Sequence, residues 1–131
     1  MASDEAAPVV EAALAHLRQA GHRVEVLMLT GPWPAVGRAV GQAVAEGRAD
    51  LGVVWCWTGT GVAIAANKVT GVRAALCADA ATADGARRWN DANVVALSIR
   101  STSEAVAAEI LDAFLAGHPD PAEAGLISGL E

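Results

Sequence analysis

One short stretch, "CWTGTG" from Cys56 to Gly61, gathers the groups most able to do chemistry in this chain. A cysteine thiolate is a nucleophile and also a base toward carbon acids. Glycines at 59 and 61 let the backbone aim several N–H groups at one small volume, which makes a cup for an oxyanion or a phosphate. Thr58 and Thr60 add hydroxyl donors. The residues alone leave attack on a carbonyl and removal of a proton from carbon equally open. They also fit a bland role, because a buried cysteine at a strand end is an ordinary small core residue. Two familiar glycine motifs are excluded. The spacing does not match G-x-G-x-x-G with an acidic residue about 20 positions on, and Lys68 lies beyond the following helix instead of directly after a glycine.

The elements around the stretch determine whether those groups can meet. "DLGVVWC" reads as a short apolar strand ending on Cys56, and a small-residue helix begins near Gly61, so the thiol is expected to face a helix N-terminus whose field favours a thiolate. Upstream, "VVEAALAHLRQAG" carries apolar residues at helical spacing and stops at Gly21, "HRVEVLML" reads as a strand, and "WPAVGRAVGQAVAEG" reads as a helix. Downstream, "GVRAALC" is a strand, "DAATADGARRWNDA" a helix, "NVVALSI" a strand, and "TSEAVAAEILDAFLAG" a helix with a Thr or Ser cap and Gly117 after its end. Strands rich in Val, Leu and Ile, alternating with helices, predict a doubly wound three-layer α/β/α sandwich around a parallel sheet. In such folds ligands sit beyond the carboxyl ends of the strands, where Cys56 falls. Residues 1–116 form the expected domain, and 117–131, with two prolines and three glycines, reads as a loop or an arm onto a neighbour.

Composition narrows the function classes. The chain has 131 residues, of which 53% are hydrophobic and 18% charged, enough for one packed core. A net charge of −6 argues against a nucleic-acid partner. The start "MASDEAAPVV" lacks the pattern of a signal peptide, and no apolar run reaches the roughly 18 residues of a membrane span, so a cytoplasmic location is expected. Cys56 and Cys77 read as free thiols.

The string "CWTGTGVAIAANKVTGVRAALC" followed by "RWNDANVVAL" closely resembles the ribose-5-phosphate isomerase B family, which includes the galactose-6-phosphate isomerase subunits. That family's pattern is C-G-T-G-x-G-x-x-I-A-A-N-K, then G-x-R-A-A, then H-N-D-A-N-V. The resemblance runs from Ser3-Asp4 to about residue 116 and includes Trp33-Pro34 and "ADLGV" at 49–53. It implies a five-stranded parallel sheet, a homodimer or dimer of dimers with active sites shared between subunits, and aldose–ketose isomerisation of a sugar phosphate. Ribose 5-phosphate to ribulose 5-phosphate, a reaction of the pentose phosphate pathway, is the leading expectation. It implies no cofactor and no metal. Carried over by position, Cys56 is the base that moves a proton between C2 and C1, and the 57–61 loop holds the cis-enediolate. Thr58, Gly59, Thr60 and Gly61 belong to that loop, Asp4 lies near the sugar ring, Asn90 reaches a sugar hydroxyl from the partner subunit, and Arg100 helps to hold phosphate.

The chain departs from the family pattern at several of these positions. Trp89 stands where the family has histidine, and an indole transfers no proton. Glu5 replaces the histidine of Ser-Asp-His, so Asp4 or Glu5 is left to assist ring opening. No Arg or Lys follows Arg100, which leaves the phosphate clamp short. Trp57 replaces glycine in the loop. With Trp33, Trp55 and Trp89 it reads either as an aromatic wall for a sugar or as part of an interface. A full first strand precedes Ser-Asp in the family, whereas Met1 and Ala2 precede Ser3 here, so the first strand is expected to be truncated, leaving unpaired ladder groups and an apolar slot. These departures keep two alternatives in view: a non-catalytic or repurposed sugar-binding member, and an isomerase of an unphosphorylated or modified sugar.

Overall fold

Two valine-rich strands form the centre of the fold. β2 (Gly52–Cys56) and β4 (Val94–Ser98) are buried at every position, as strands must be when helices cover both faces of their sheet. They pair in parallel over their whole length, with Gly52 opposite Val94 and Cys56 opposite Ser98. β1 (Ala2–Ser3) flanks β2 and β3 (Ala74–Leu76) flanks β4, giving the order β1-β2-β4-β3. The computed structural model describes residues 1–131.

Side chains alternate along each strand and sort the helices into two layers. Val53, Trp55, Val95 and Leu97 face one core with α1 (Pro8–Gln19), α4 (Ala80–Asn90) and α5 (Glu104–Ala116). Val54, Cys56, Val94 and Ala96 face the other, against α2 (Trp33–Ala45) and α3 (Thr60–Asn67). Local chemistry fixes the helix starts. Pro8 occupies the first turn of α1, where no amide partner is lost. The Asp79 side chain accepts from the Thr82 amide, and Ser103 accepts from the Val106 amide, so α4 and α5 both begin on side-chain caps. The Asn67 side chain brackets the start of β3, donating to the Ala74 carbonyl and accepting from its amide.

The sheet has four strands and not the five expected. "HRVEVLML" runs beside β1 but forms a single bridge, Ala2 to Met28. The reason is the length of β1: only Met1–Ser3 are available as a ladder. The Met1 ammonium donates to the Glu25 carbonyl, the Leu27 amide to Met1, and the Ser3 amide to Met28. β2 pairs with β1 only at Val54 and Trp55, so Gly52 and Val53 have no partner on that side. Beyond Met1 a slot of about 420 Å³ opens between β2 and residues 22–25, with Leu17, Leu51, Val53 and Leu115 on its apolar side and Arg23, Glu25 and Asp50 also lining it. The first strand is therefore two residues long, and a slot lies beside it.

The tail also differs from a plain loop. It makes a 3₁₀ turn at Pro121–Glu123, one turn of helix, α6 (Ala124–Ile127), and a second 3₁₀ turn at Ser128–Leu130. It returns onto its own chain, where the Asp120 amide donates to the Arg88 carbonyl and Glu131 pairs with Arg73. Proline at 121 and the Asp120 cap start the first turn, a local signal too short to show helical periodicity. No helix is long and apolar enough to cross a membrane.

The packing of α2 on α3 matters most for the candidate site, because α3 starts at the Cys56–Gly61 loop. Contact is close at Gly37, where a Cβ would lie 2.5 Å from the Val62 carbonyl oxygen and 2.7 Å from the Ala65 methyl. Alanine in a helix interior is ordinarily worth about 1 kcal/mol over glycine. Here the sign reverses: Gly37→Ala is expected to lose about 1–3 kcal/mol through overpacking, read as a lower midpoint in urea denaturation at unchanged m-value.

Candidate active site

The chain path dictates where a site can form. From β1, α1 leads outward to residues 24–28, whereas from β2 the chain moves the other way through α3 toward β3. The carboxyl ends of β1 and β2 therefore flank the point at which the winding direction reverses, and a crevice opens there. Asp4 follows β1 and Cys56 ends β2. Ser3 pairs with Trp55, and the Asp4 amide donates to the Trp55 carbonyl at 3.2 Å, which sets the two candidate residues on neighbouring strand ends.

Cys56 is 5% exposed and points toward the α2/α3 layer. The Gly59 amide donates to its sulfur at 3.2 Å. That contact requires the turn to double back, and Gly59 does so at φ +81°, a left-handed conformation that suits glycine. A Cβ there would also meet Leu76 at 2.5 Å and the Leu97 backbone at 3.0 Å, so the turn lies flat on the end of β4. The Thr58 and Thr60 hydroxyls are 2.7 Å apart, linked to each other across the rim of the cup. α3 begins at Thr60, with Gly61 in its first turn, so the unpaired amides of that turn open beside the thiol. The Trp57 carbonyl accepts from the Arg100 amide at 3.0 Å, placing Arg100 beside the loop with its guanidinium exposed and in no ion pair.

Asp4 supplies a second ionisable group. One of its carboxyl oxygens, Oδ1, is enclosed without a hydrogen-bond partner. Desolvation, and then the neighbouring charge of Glu5, raise its pKa above the ordinary carboxylate value. Glu5 itself is exposed, on a turn closed by a 2.6 Å hydrogen bond from the Ser3 hydroxyl to its carbonyl. No cluster of three His, Cys, Asp or Glu side chains is close enough to hold a metal ion.

The four tryptophans separate. Trp55 is completely buried in the core and forms no part of a wall, because its position on β2 points it to the α1/α5 side. Trp33 lies across Gly61, with ring carbons 2.9–3.4 Å from where a Cβ would stand, and is 47% exposed. Trp57 is 55% exposed on the loop. These two are at the cup. Trp89 and Asn90 are not: α4 starts at the carboxyl end of β3 and returns to the amino end of β4, so its last residues lie at the opposite end of the sheet from Cys56. Asn90 borders a cavity with Gly71, Arg73 and Ala92. One chain thus brings together Asp4, Glu5, Cys56, Trp57, Thr58, Gly59, Thr60, Gly61 and Arg100, and leaves Trp89 and Asn90 apart from them. Sequence reasoning missed Ser98, which is 8% exposed and opposite Cys56 in the ladder. No motif marks it, and only its place at the end of an apolar run hinted at a role.

Comparison with known proteins agrees with the fold. The family described as Ribose/Galactose Isomerase matches residues 1–124. The galactose-6-phosphate isomerase subunit LacB of Clostridium acetobutylicum is 41% identical over 101 residues, 76% of this chain and 58% of that protein. The D-erythrulose-4-phosphate isomerase of Pectobacterium atrosepticum is 41% identical over 83 residues, 63% of this chain and 55% of that protein. The chain therefore spans little more than half the length of these two relatives. Ribose-5-phosphate isomerase B of Escherichia coli is 39% identical over 109 residues, 78% of this chain and 71% of that protein. Among solved structures, the ribose 5-phosphate isomerase of Thermotoga maritima superposes with a TM-score of 0.93 at 33% identity, covering 98% of this chain and 93% of that one.

The enclosed Asp4 carboxyl has a consequence for stability. Its pKa is raised in the folded state, so between the unfolded value near 3.8 and the folded value the native protein binds more protons, and stability falls as pH rises through that window. Above the window the desolvated charge opposes folding. Asp4→Asn is expected to raise the thermal midpoint at pH 7 and to leave it nearly unchanged at pH 3. An equal shift at both pH values would contradict the burial of that charge.

Proposed function

The chain belongs to the ribose/galactose isomerase family, and on that premise we propose that it interconverts an aldose phosphate and a ketose phosphate through a cis-enediolate, with Cys56 as the base. The observation that carries this reading is the Gly59 amide aimed at the Cys56 sulfur at the reversal point of the sheet, beside the first turn of α3. A carbon-acid base requires an adjacent place for the displaced electron pair. The thiolate removes the C2 proton of the open-chain aldose, the C–H pair becomes the C1–C2 double bond, and the carbonyl π pair moves onto O1. Loop amides and the Thr58 and Thr60 hydroxyls receive that charge. The proton on O2 passes to O1, the thiol returns its proton to C1, and C2 becomes the carbonyl of the ketose.

Ring opening needs an acid, and Asp4 is better placed than Glu5. Its enclosed oxygen lies in the crevice and holds its proton to higher pH than an ordinary carboxyl, while Glu5 is in solvent. Arg100 is the cation available at this end to a phosphate, assisted by the helix start. Trp33 and Trp57 offer indole faces to the sugar. The site of one chain is half-built, and Trp57, Ile64 and Leu76 leave exposed apolar surface beside it. A homodimer in which a second copy brings Trp89 and Asn90 to Cys56 would complete it. Ribose 5-phosphate is the leading substrate, ahead of galactose 6-phosphate and erythrulose 4-phosphate, as a step of pentose phosphate metabolism in the cytoplasm.

Solvent deuterium exchange at the carbon next to the carbonyl, measured across those three phosphates and their unphosphorylated sugars, tests the reading. Exchange is expected with at least one phosphate and is expected to fall roughly 10²–10⁴-fold in Cys56→Ala. Exchange with none of them, or full retention in the variant, would overturn it. Thermal stabilisation by a sugar without exchange would assign the chain a binding role instead.

A further inference from the structure

We propose that Ser98 is a positioning residue of this site, tying the Cys56 loop to the Arg100 turn through its hydroxyl. Ser98 ends β4 directly opposite Cys56 and is 8% exposed. Its hydroxyl donates to the Trp57 carbonyl at 2.9 Å and accepts from the Ser101 amide at 3.1 Å. Both partners are backbone groups, one on the loop after β2 and one on the turn after β4. Two main-chain bonds run parallel to this bridge, from the Ile99 amide to the Cys56 carbonyl and from the Arg100 amide to the Trp57 carbonyl, each 3.0 Å. Three hydrogen bonds thus knit residues 56–57 to 98–101 and a fourth closes the 98–101 turn, and the two made by the Ser98 side chain are the ones a substitution can remove.

The geometry beyond the knot makes these bonds matter. Trp57 is two residues before Gly59, and Gly59 rests against the Leu97 backbone with no side chain between them. Where the Trp57 carbonyl is held therefore sets where the Gly59 amide stands relative to the Cys56 sulfur, 3.2 Å away. On the other side, the Ser101 amide closes the turn that carries Arg100. One hydroxyl thus orients both the donor that serves the thiol and the cation available to a phosphate. Loss of the hydroxyl would leave the Trp57 carbonyl with the Arg100 amide alone and release the exposed Ser101 amide to solvent, freeing the loop to drift.

For catalysis this inference rests on Cys56 acting as the base, but its first test does not need turnover. In a Cys77→Ala background, the rate of Cys56 alkylation by iodoacetamide is followed from pH 6 to 9. Ser98→Ala is expected to slow alkylation at pH 7 by about three- to tenfold, the ratio to which the net worth of one hydrogen bond corresponds, and to move the rate–pH curve to higher pH. Ser98→Thr and Ser98→Val have the same shape and differ in the hydroxyl. Threonine is expected to keep the parent curve and valine to reproduce the alanine shift, a comparison that holds even where the alanine variant folds poorly. Identical curves for threonine and valine would overturn the proposal. If the parent isomerises a sugar phosphate, Ser98→Val is expected to lower kcat with partial rescue by threonine. If it does not, the functional reading fails while the alkylation result stands alone.

Discussion

The parallel register of β2 and β4 is the constraint from which the site follows. Five consecutive pairings bring Cys56 and Ser98 to the same level at the carboxyl edge of the sheet. A slip of one residue would turn Cys56 from the α2/α3 layer to the other face and remove it from the start of α3. Register here is strongly specified, because both faces of both strands are buried. Val53, Trp55, Val95 and Leu97 must all reach one core while Val54, Val94 and Ala96 reach the other. The catalytic candidate is positioned by valines that do no chemistry.

Small residues then bring the helix to the thiol. α3 carries alanines at 63, 65 and 66 and packs on the glycine-bearing face of α2. Close approach of these two helices keeps the first turn of α3 low over the sheet, directly after the Gly59 amide that donates to the sulfur. Larger side chains at the contact would lift the helix and open the cup. The frequency of alanine and glycine in this half of the chain is therefore a geometric requirement of the site as much as a matter of helix propensity.

Much of this was legible in the chain itself. The alternation of apolar runs with 3.6-period segments gives the doubly wound class, and Ser103, Asp79 and Pro8 mark helix starts by local chemistry. Cys56 at a strand end before Gly59 and Gly61 was readable because its signal lies within six residues of sequence. Features that depend on distant partners were not readable. "HRVEVLML" has the composition of a strand, yet a strand needs a ladder, and β1 is two residues long and bridges it once. Trp55 and Trp57 are two apart, and the pattern could not show that one is core and the other exposed. Ser98 looks like any polar residue closing an apolar run until the Trp57 carbonyl is placed beside it.

The charge balance poses a last problem, which the local geometry resolves. A chain with net charge −6 and with Asp4 and Glu5 at the crevice has an unfavourable mean field for a phosphate. At physiological ionic strength, however, charges beyond about 8 Å are largely screened, so the mean field matters less than the groups in contact. Several arginines are already committed elsewhere: Arg73 to Asp91 and Glu131, Arg87 to Asp91, Arg88 to Asp84 and Arg48 to Glu46. Arg100, unpaired at the loop, and the amides of the 59–61 turn are left to face an anion. Amide dipoles need no counterion and are fixed before the ligand arrives, which suits charge that develops during a reaction better than charge already present in the substrate. For the proposed reaction, a site built this way would discriminate by the charge formed along the reaction path more than by the net charge of what enters it.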